Sequence, residues 1–97
     1  MRHVHGVMST DRPERYARQL LKHWSARGPV TEEDGTLVQR WTDGRVISMR
    51  PGDGSLDIQL SVPDGEDAEY FSHVVAEHLE RFGRRAELHV EWEPRGA

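Results

Sequence analysis

Leu56, Ile58, Leu60 and Val62 alternate with Ser55, Asp57, Gln59 and Ser61. A period of two over eight residues predicts a strand with one buried and one wet face. The same alternation, weaker, predicts strands over residues 3–8, 36–41, 45–50 and 87–92. In the first, Val4 and Met8 share one face and His3, His5 and Val7 the other. In the last, Leu88, Val90 and Trp92 face inward, with Glu87, His89 and Glu91 outward. Two stretches repeat instead at three and four. Tyr16, Ala17, Leu20, Leu21 and Trp24 mark a helix running to about Arg27. Ala68, Phe71, Val74, Val75, Leu79 and Phe82 mark a second over 66–82, with His78 inside the apolar stripe.

The punctuation agrees with this division. Ser9-Thr10-Asp11 supplies a cap oxygen, followed by Pro13 and Glu14 in the first turn. Gly28-Pro29 ends the first helix and Gly83 the second. Asp43-Gly44 reads as a hairpin turn, and residues 31–34 as an acidic loop. The predicted order is β-α-β-β-β-α-β. Each helix needs one apolar sheet face, and each strand offers only one. The expected fold is therefore α+β: a two-layer sandwich, with both helices on one side of a mainly antiparallel sheet. All 97 residues form one domain on this reading, with a core from about 3 to 92 and a flexible tail over 93–97.

Composition narrows the function. The chain has no cysteine, which removes disulfides, thiolate metal sites and thiol catalysis. Its net charge of −4 argues against a nucleic-acid partner. No apolar run is long enough to span a membrane, and the start lacks a secretory h-region, so a cytoplasmic location is expected. Gly-x-Ser-x-Gly, a phosphate-binding glycine loop and a dinucleotide fingerprint are all missing. The paired acids Glu32-Glu33 and Glu66-Asp67-Glu69 fall in surface loops, where nothing separates their pKa values. A hydrolytic or redox active site is not expected.

Histidine carries the remaining chemistry. His78 lies on an apolar stripe, where its ring needs a partner: a backbone carbonyl or Tyr16 if it is structural, His23 across the interhelical groove if it is functional. His3, His5 and His89 form a second candidate group. They meet on the open sheet face if the first and last strands are neighbours, with Glu87 and Glu91 close by. Imidazole with carboxylate suits zinc, nickel, copper or ferrous iron. Arg81, Arg84 and Arg85 gather at the end of the second helix, where they complement its dipole or clamp an anion. His73 and Glu77 lie one turn apart on a solvated face. Trp41, beside the Asp43-Gly44 turn, either packs under the sheet edge or contacts a ligand.

Three stretches carry a resemblance. They are Thr10-Asp11-Arg12-Pro13-Glu14-Arg15-Tyr16 with Leu20 and Lys22-His23-Trp24, then residues 74–82 with His78-Leu79-Glu80-Arg81-Phe82, and Leu88-His89-Val90-Glu91-Trp92. Together with length and element order, they make the chain similar to the bacterial family called domain of unknown function 2218. Relatives occur beside or fused to siderophore-interacting flavin reductase domains, and often carry a second histidine shortly after the position of His23. Here Ala26 and Arg27 stand in that stretch.

The resemblance implies an accessory domain linked to iron or siderophore handling. It would bind a divalent metal or an iron chelate, or dock on a flavin-dependent siderophore-interacting reductase. The expected ligand contacts are His78, His23, Arg81 and Tyr16; the expected metal ligands are His78 and His23, or His3, His5 and His89. Two other readings stand beside it. One is an interaction module, monomeric or joined as a homodimer through the open sheet face. The other is a small-molecule enzyme using His78 as acid and base.

Overall fold

Alternation of inward and outward side chains governs the architecture. The computed structural model describes residues 1–83 and 88–93. Its elements are β1 (Arg2–Ser9), α1 (Pro13–His23), β2 (Val30–Glu33), β3 (Thr36–Arg40), β4 (Val46–Pro51), β5 (Ser55–Val62), α2 (Ala68–Phe82) and β6 (Val90–Trp92). A short 3-10 turn, Ser25–Arg27, follows α1. The strands form one antiparallel sheet in the order β2-β3-β4-β5-β1-β6. The inward residues of β5 are all buried, and Ile47, Met49 and Met8 join them. Leu20 and Leu21 of α1 and Val75 and Leu79 of α2 close the same core from above. Both helices lie on one face: α1 over β3–β5, α2 over β1, β5 and β6. The two-layer α+β fold is the one the pattern predicts.

Five local readings need correction. The acidic stretch 31–34 is not a loop. Its first three residues belong to β2 and Asp34 opens a turn, so the described sheet has six strands and the order gains one β. Asp34 and Gly35 both take positive φ, 53° and 81°, and join Glu33 to Thr36 in a two-residue hairpin. All four β2 residues are exposed, so no hydrophobic alternation marks the strand. Glu33 pairs with Arg40 at 2.8 Å, and Glu32 lies 3.9 Å from Arg18. The Arg40 guanidinium and the Thr31 hydroxyl pull the Glu33 carboxyl down to about 2.

The start of α1 also differs. Arg12 takes the cap position without a side-chain bond, and the Thr10 hydroxyl accepts instead from the Arg12 N–H, at 3.1 Å. The helix itself ends at His23, with the 3-10 turn completing the stretch to Arg27. α2 begins two residues later than the periodicity suggests, because the Asp67 side chain accepts from Tyr70 N–H and so becomes the cap. β6 starts at Val90. Arg84, Arg85 and Glu87 lie outside the described residues, as does 94–97 of the expected tail. Glu93 is held: its N–H donates to the His5 carbonyl at 2.8 Å.

Gln39 adds a polar tie between the sheet and the chain just after α1. It sits on the inward register of β3, between Leu37 and Trp41, and is fully buried. Its Nε2 donates to the carbonyls of Trp24 and Gly28, both at 2.8 Å, and its Oε1 accepts from the Trp41 indole at 2.9 Å. Every polar atom of the amide side chain is engaged. Gly28 fits beneath because it lacks a side chain: a Cβ there would fall 2.2 Å from the Arg40 carbonyl oxygen.

Gln39→Leu keeps the volume and removes all three bonds. The Trp24 carbonyl still accepts from Arg27 N–H, but the Gly28 carbonyl and the Trp41 indole lose these partners. At about 1–3 kcal/mol for each of the two stranded groups, the expected destabilisation is about 2–6 kcal/mol, read as a lower denaturant midpoint at unchanged slope. A midpoint that does not move would show that both groups find new partners.

Candidate functional site

The end of α1 and the middle of α2 bring His23 and His78 together. Their ring centroids are 5.1 Å apart, with planes tilted by 51°. The spacing follows from the helix period. Trp24 closes α1 and turns inward, which leaves the preceding His23 exposed on the groove rim. His78 occupies the stripe of Phe71, Val75 and Phe82, half-buried. Trp24 meets it at 5.0 Å with planes tilted by 50°, and Phe82 borders both imidazoles, 6.0 Å from His23 and 6.4 Å from His78. The groove is thus a pair of imidazoles walled by aromatic rings.

His78 finds its hydrogen-bond partner on its own helix. Nδ1 lies 2.8 Å from the Val74 carbonyl oxygen. A carbonyl only accepts, so Nδ1 carries the proton and the neutral ring keeps its lone pair on Nε2. Metal-binding histidines are commonly oriented by such a bond from the other nitrogen to a carbonyl. Tyr16 is not that partner. It is half-buried against the core, two turns before His23 on α1. Arg81, on the flank of α2, donates to Glu77 at 2.9 Å, and His73 approaches the same carboxylate at 3.5 Å. These three form an exposed helix-surface network.

Trp41 packs under the sheet edge, 7% exposed, rather than facing a ligand. It meets Trp24 and Phe71 edge-on, at 5.3 and 5.2 Å. Arg27 lies over its ring at 5.1 Å, and Arg45 covers Phe71 at the same distance. The aromatic wall behind His78 is therefore continuous with the core, and Gln39 anchors it.

The second histidine group is not assembled. β1 and β6 are neighbours, as that grouping requires. Their ladder, however, pairs Gly6 with Trp92, Val7 with Glu91 and Met8 with Val90. The antiparallel register puts His89 beyond the Met8 end and His3 at the other, more than about 15 Å away along the strand. His89 approaches Glu80 of α2 instead, at 3.4 Å. His3 lies 2.8 Å from the Ser61 hydroxyl. His5 spends both nitrogens on carboxylates: Nε2 on Asp57 at 2.5 Å and Nδ1 on Glu93 at 2.6 Å. Among the described residues, no group of three or more histidine and acidic side chains is arranged to hold a metal ion.

A family model described as "Uncharacterized protein conserved in bacteria (DUF2218)" matches residues 5–93. The chain belongs to this family. The DUF2218 match spans the whole interhelical groove, and its two limits are His5 and Glu93. Among solved structures, the "NMR structure of PA4090 from Pseudomonas aeruginosa" is similar at 23% identity and a TM-score of 0.74, covering all of both chains. That likeness shows the fold. No curated protein matches the chain. No helix among the described residues is long and apolar enough to cross a membrane.

Two residues central to this arrangement escape motif reading. Gln39 has a signal, being a polar residue between two inward apolar ones. Glu93 has none, since it follows the last periodic residue and precedes Pro94.

The tautomer of His78 is directly measurable. Long-range 15N–1H correlation at pH 8 is expected to show its proton on Nδ1, in wild type and in Tyr16→Phe alike. A proton on Nε2, or a tautomer that switches in Tyr16→Phe, would contradict the Val74 bond.

Proposed function

We propose that the interhelical groove binds a divalent metal ion through His23 and His78, with the remaining coordination positions filled by a ligand that the metal brings with it. The observation that carries this reading is the 5.1 Å separation of the two rings, one of them held with Nε2 as its free acceptor. Two imidazoles sharing one tetrahedral ion, with metal–nitrogen bonds of about 2.0–2.1 Å, have centroids roughly 5 Å apart. Two protein nitrogens hold a bare ion weakly. They suit a metal already carried by an oxygen chelator, whose flat surface the Trp24 and Phe82 rings could border. That chemistry accords with the iron and siderophore setting implied by the sequence resemblance, and a flavin-dependent reductase that changes the metal's oxidation state is a natural neighbour.

The alternatives draw less support. Acid–base catalysis by His78 calls for a carboxylate beside the ring, and the hydrogen bond of His78 goes to a carbonyl. A homodimer through the open sheet face would have to cover His3, His5, Arg50, Asp57, Gln59 and Glu93, a poor set for a dry interface.

The test is calorimetry and metal mass spectrometry on protein lacking a histidine tag. Zinc, nickel and copper(II) serve as probes, each alone and each with an excess of a bidentate hydroxamate. One metal per chain is expected, bound more tightly with the hydroxamate present. His23→Ala and His78→Gln should each weaken binding by at least about tenfold, and His3→Ala should leave it unchanged. His23 is exposed, so its variant separates lost binding from lost folding. Binding that survives both groove variants, or no binding with either probe form, would overturn the reading.

A further inference from the structure

His5 is held between two carboxylates from different parts of the sheet. Asp57 comes from β5, on one side of β1. Glu93 directly follows β6, on the other side. Both ring nitrogens lie within hydrogen-bond distance of a carboxylate oxygen. Ionised carboxylates only accept hydrogen bonds, and a neutral imidazole has only one N–H. The bridge is therefore complete only when the ring is an imidazolium. We propose that His5 is a protonation-dependent latch that fastens the edge strand β6 to the sheet, closed while the ring is charged and open once it loses a proton.

The surroundings indicate which side lets go. Asp57 belongs to an interior strand and its side chain is 38% exposed; the Glu93 side chain is 65% exposed and follows a strand of three residues. Loss of one proton leaves one N–H, which stays with the better-fixed Asp57. Glu93 then faces a lone pair and is released. Two other contacts hold this end of β6 whatever the charge on His5. The Glu93 N–H donates to the His5 carbonyl, and the Trp92 ring lies over Gly6, where a Cβ would fall 2.4 Å from it. The other end is held separately, by the Val90 N–H bond to Glu80 and the neighbouring His89.

The charged and polar groups around His5 favour the closed form. From β5 come Asp57, Gln59 and Ser61, and from β4 Arg50, which pairs with Asp57 in the ladder. β1 adds His3, bonded to Ser61, and the apolar Val7. β6 and its continuation add Glu91, opposite Val7, and Glu93. Acids outnumber bases here, and the hydrogen bonds to Asp57 and Glu93 raise the His5 pKa above 6.5. A raised folded-state value gives the sign. The latch contributes fully below pH 6.5 and is lost as pH rises through the folded value. Opening loosens the Glu93 end of a strand that walls a groove of about 610 Å³ against α2, lined by His73, Glu77, Glu80, His89 and Trp92 among others. Neither His23 nor His78 takes part, so the latch stands or falls apart from metal binding.

An NMR pH titration from 5.5 to 9 tests it, on wild type, Glu93→Gln and Asp57→Asn. Three quantities are read: the His5 ring midpoint, the exchange protection of the Glu93 amide, and that of the Ile58 amide as a core control. In wild type, His5 should titrate above 6.5. Glu93 protection should fall several-fold across that midpoint while Ile58 stays constant. Glu93→Gln should lower the midpoint and abolish the step in protection; Asp57→Asn should lower the midpoint. A His5 midpoint at or below 6.5 overturns the latch. So does a Glu93 amide whose protection is independent of pH, or a step that persists in Glu93→Gln.

Discussion

One buried primary amide ties the end of α1 to the sheet beneath it. Gln39 projects from β3 into the core, where an unsatisfied amide would be costly. It avoids that cost by bonding to two carbonyls just beyond α1 and to the Trp41 indole. The geometry of the groove descends from those contacts. Fixing the Trp24 carbonyl fixes the turn at which α1 ends. That turn directs the Trp24 ring onto His78 and leaves His23 beside it. Gly28 belongs to the same joint, since only a residue without Cβ lets the chain pass so close to Arg40.

Much of this was legible in the residues. The strict alternation of 55–62 and the two helical stripes suffice for two layers and for which face each element buries. The nearness of His23 and His78 is one of the two readings that periodicity offers, since His23 borders one stripe, His78 lies within the other, and the two stripes meet. β2 was hidden because its residues are exposed and it is recruited by the Asp34-Gly35 turn and by pairing with β3, not by burial. The separation of His3 and His89 was hidden for another reason. Which face a side chain takes is a local property of period two, whereas its position along the neighbouring strand depends on register. Register between β1 and β6 is set across the eighty residues of intervening chain, with the Trp92 ring settled on Gly6.

The histidines show how far one side chain can be pushed in different directions by its surroundings. His78 stands among aromatic rings with a carbonyl on one nitrogen, an environment that presents the neutral ring's other nitrogen as a base or ligand. His5 stands on the wet face between two anions, an environment that favours the cation and uses up both nitrogens. The DUF2218 match spans both.

The two margins of the sheet are unlike, and this bears on how the domain behaves when crowded. A sheet edge exposes unpaired N–H and C=O groups to any extended chain that comes near. At β2 that row is flanked by Glu32 and Glu33, and each carboxylate has a cation of its own chain beside it. A second β2 arriving edge-on would meet a row of charged, ion-paired side chains. At β6 the row is only three residues long, too short to template an extensive ladder. Growth of the sheet into a multi-chain ribbon is thus opposed by charge on one side and by brevity on the other.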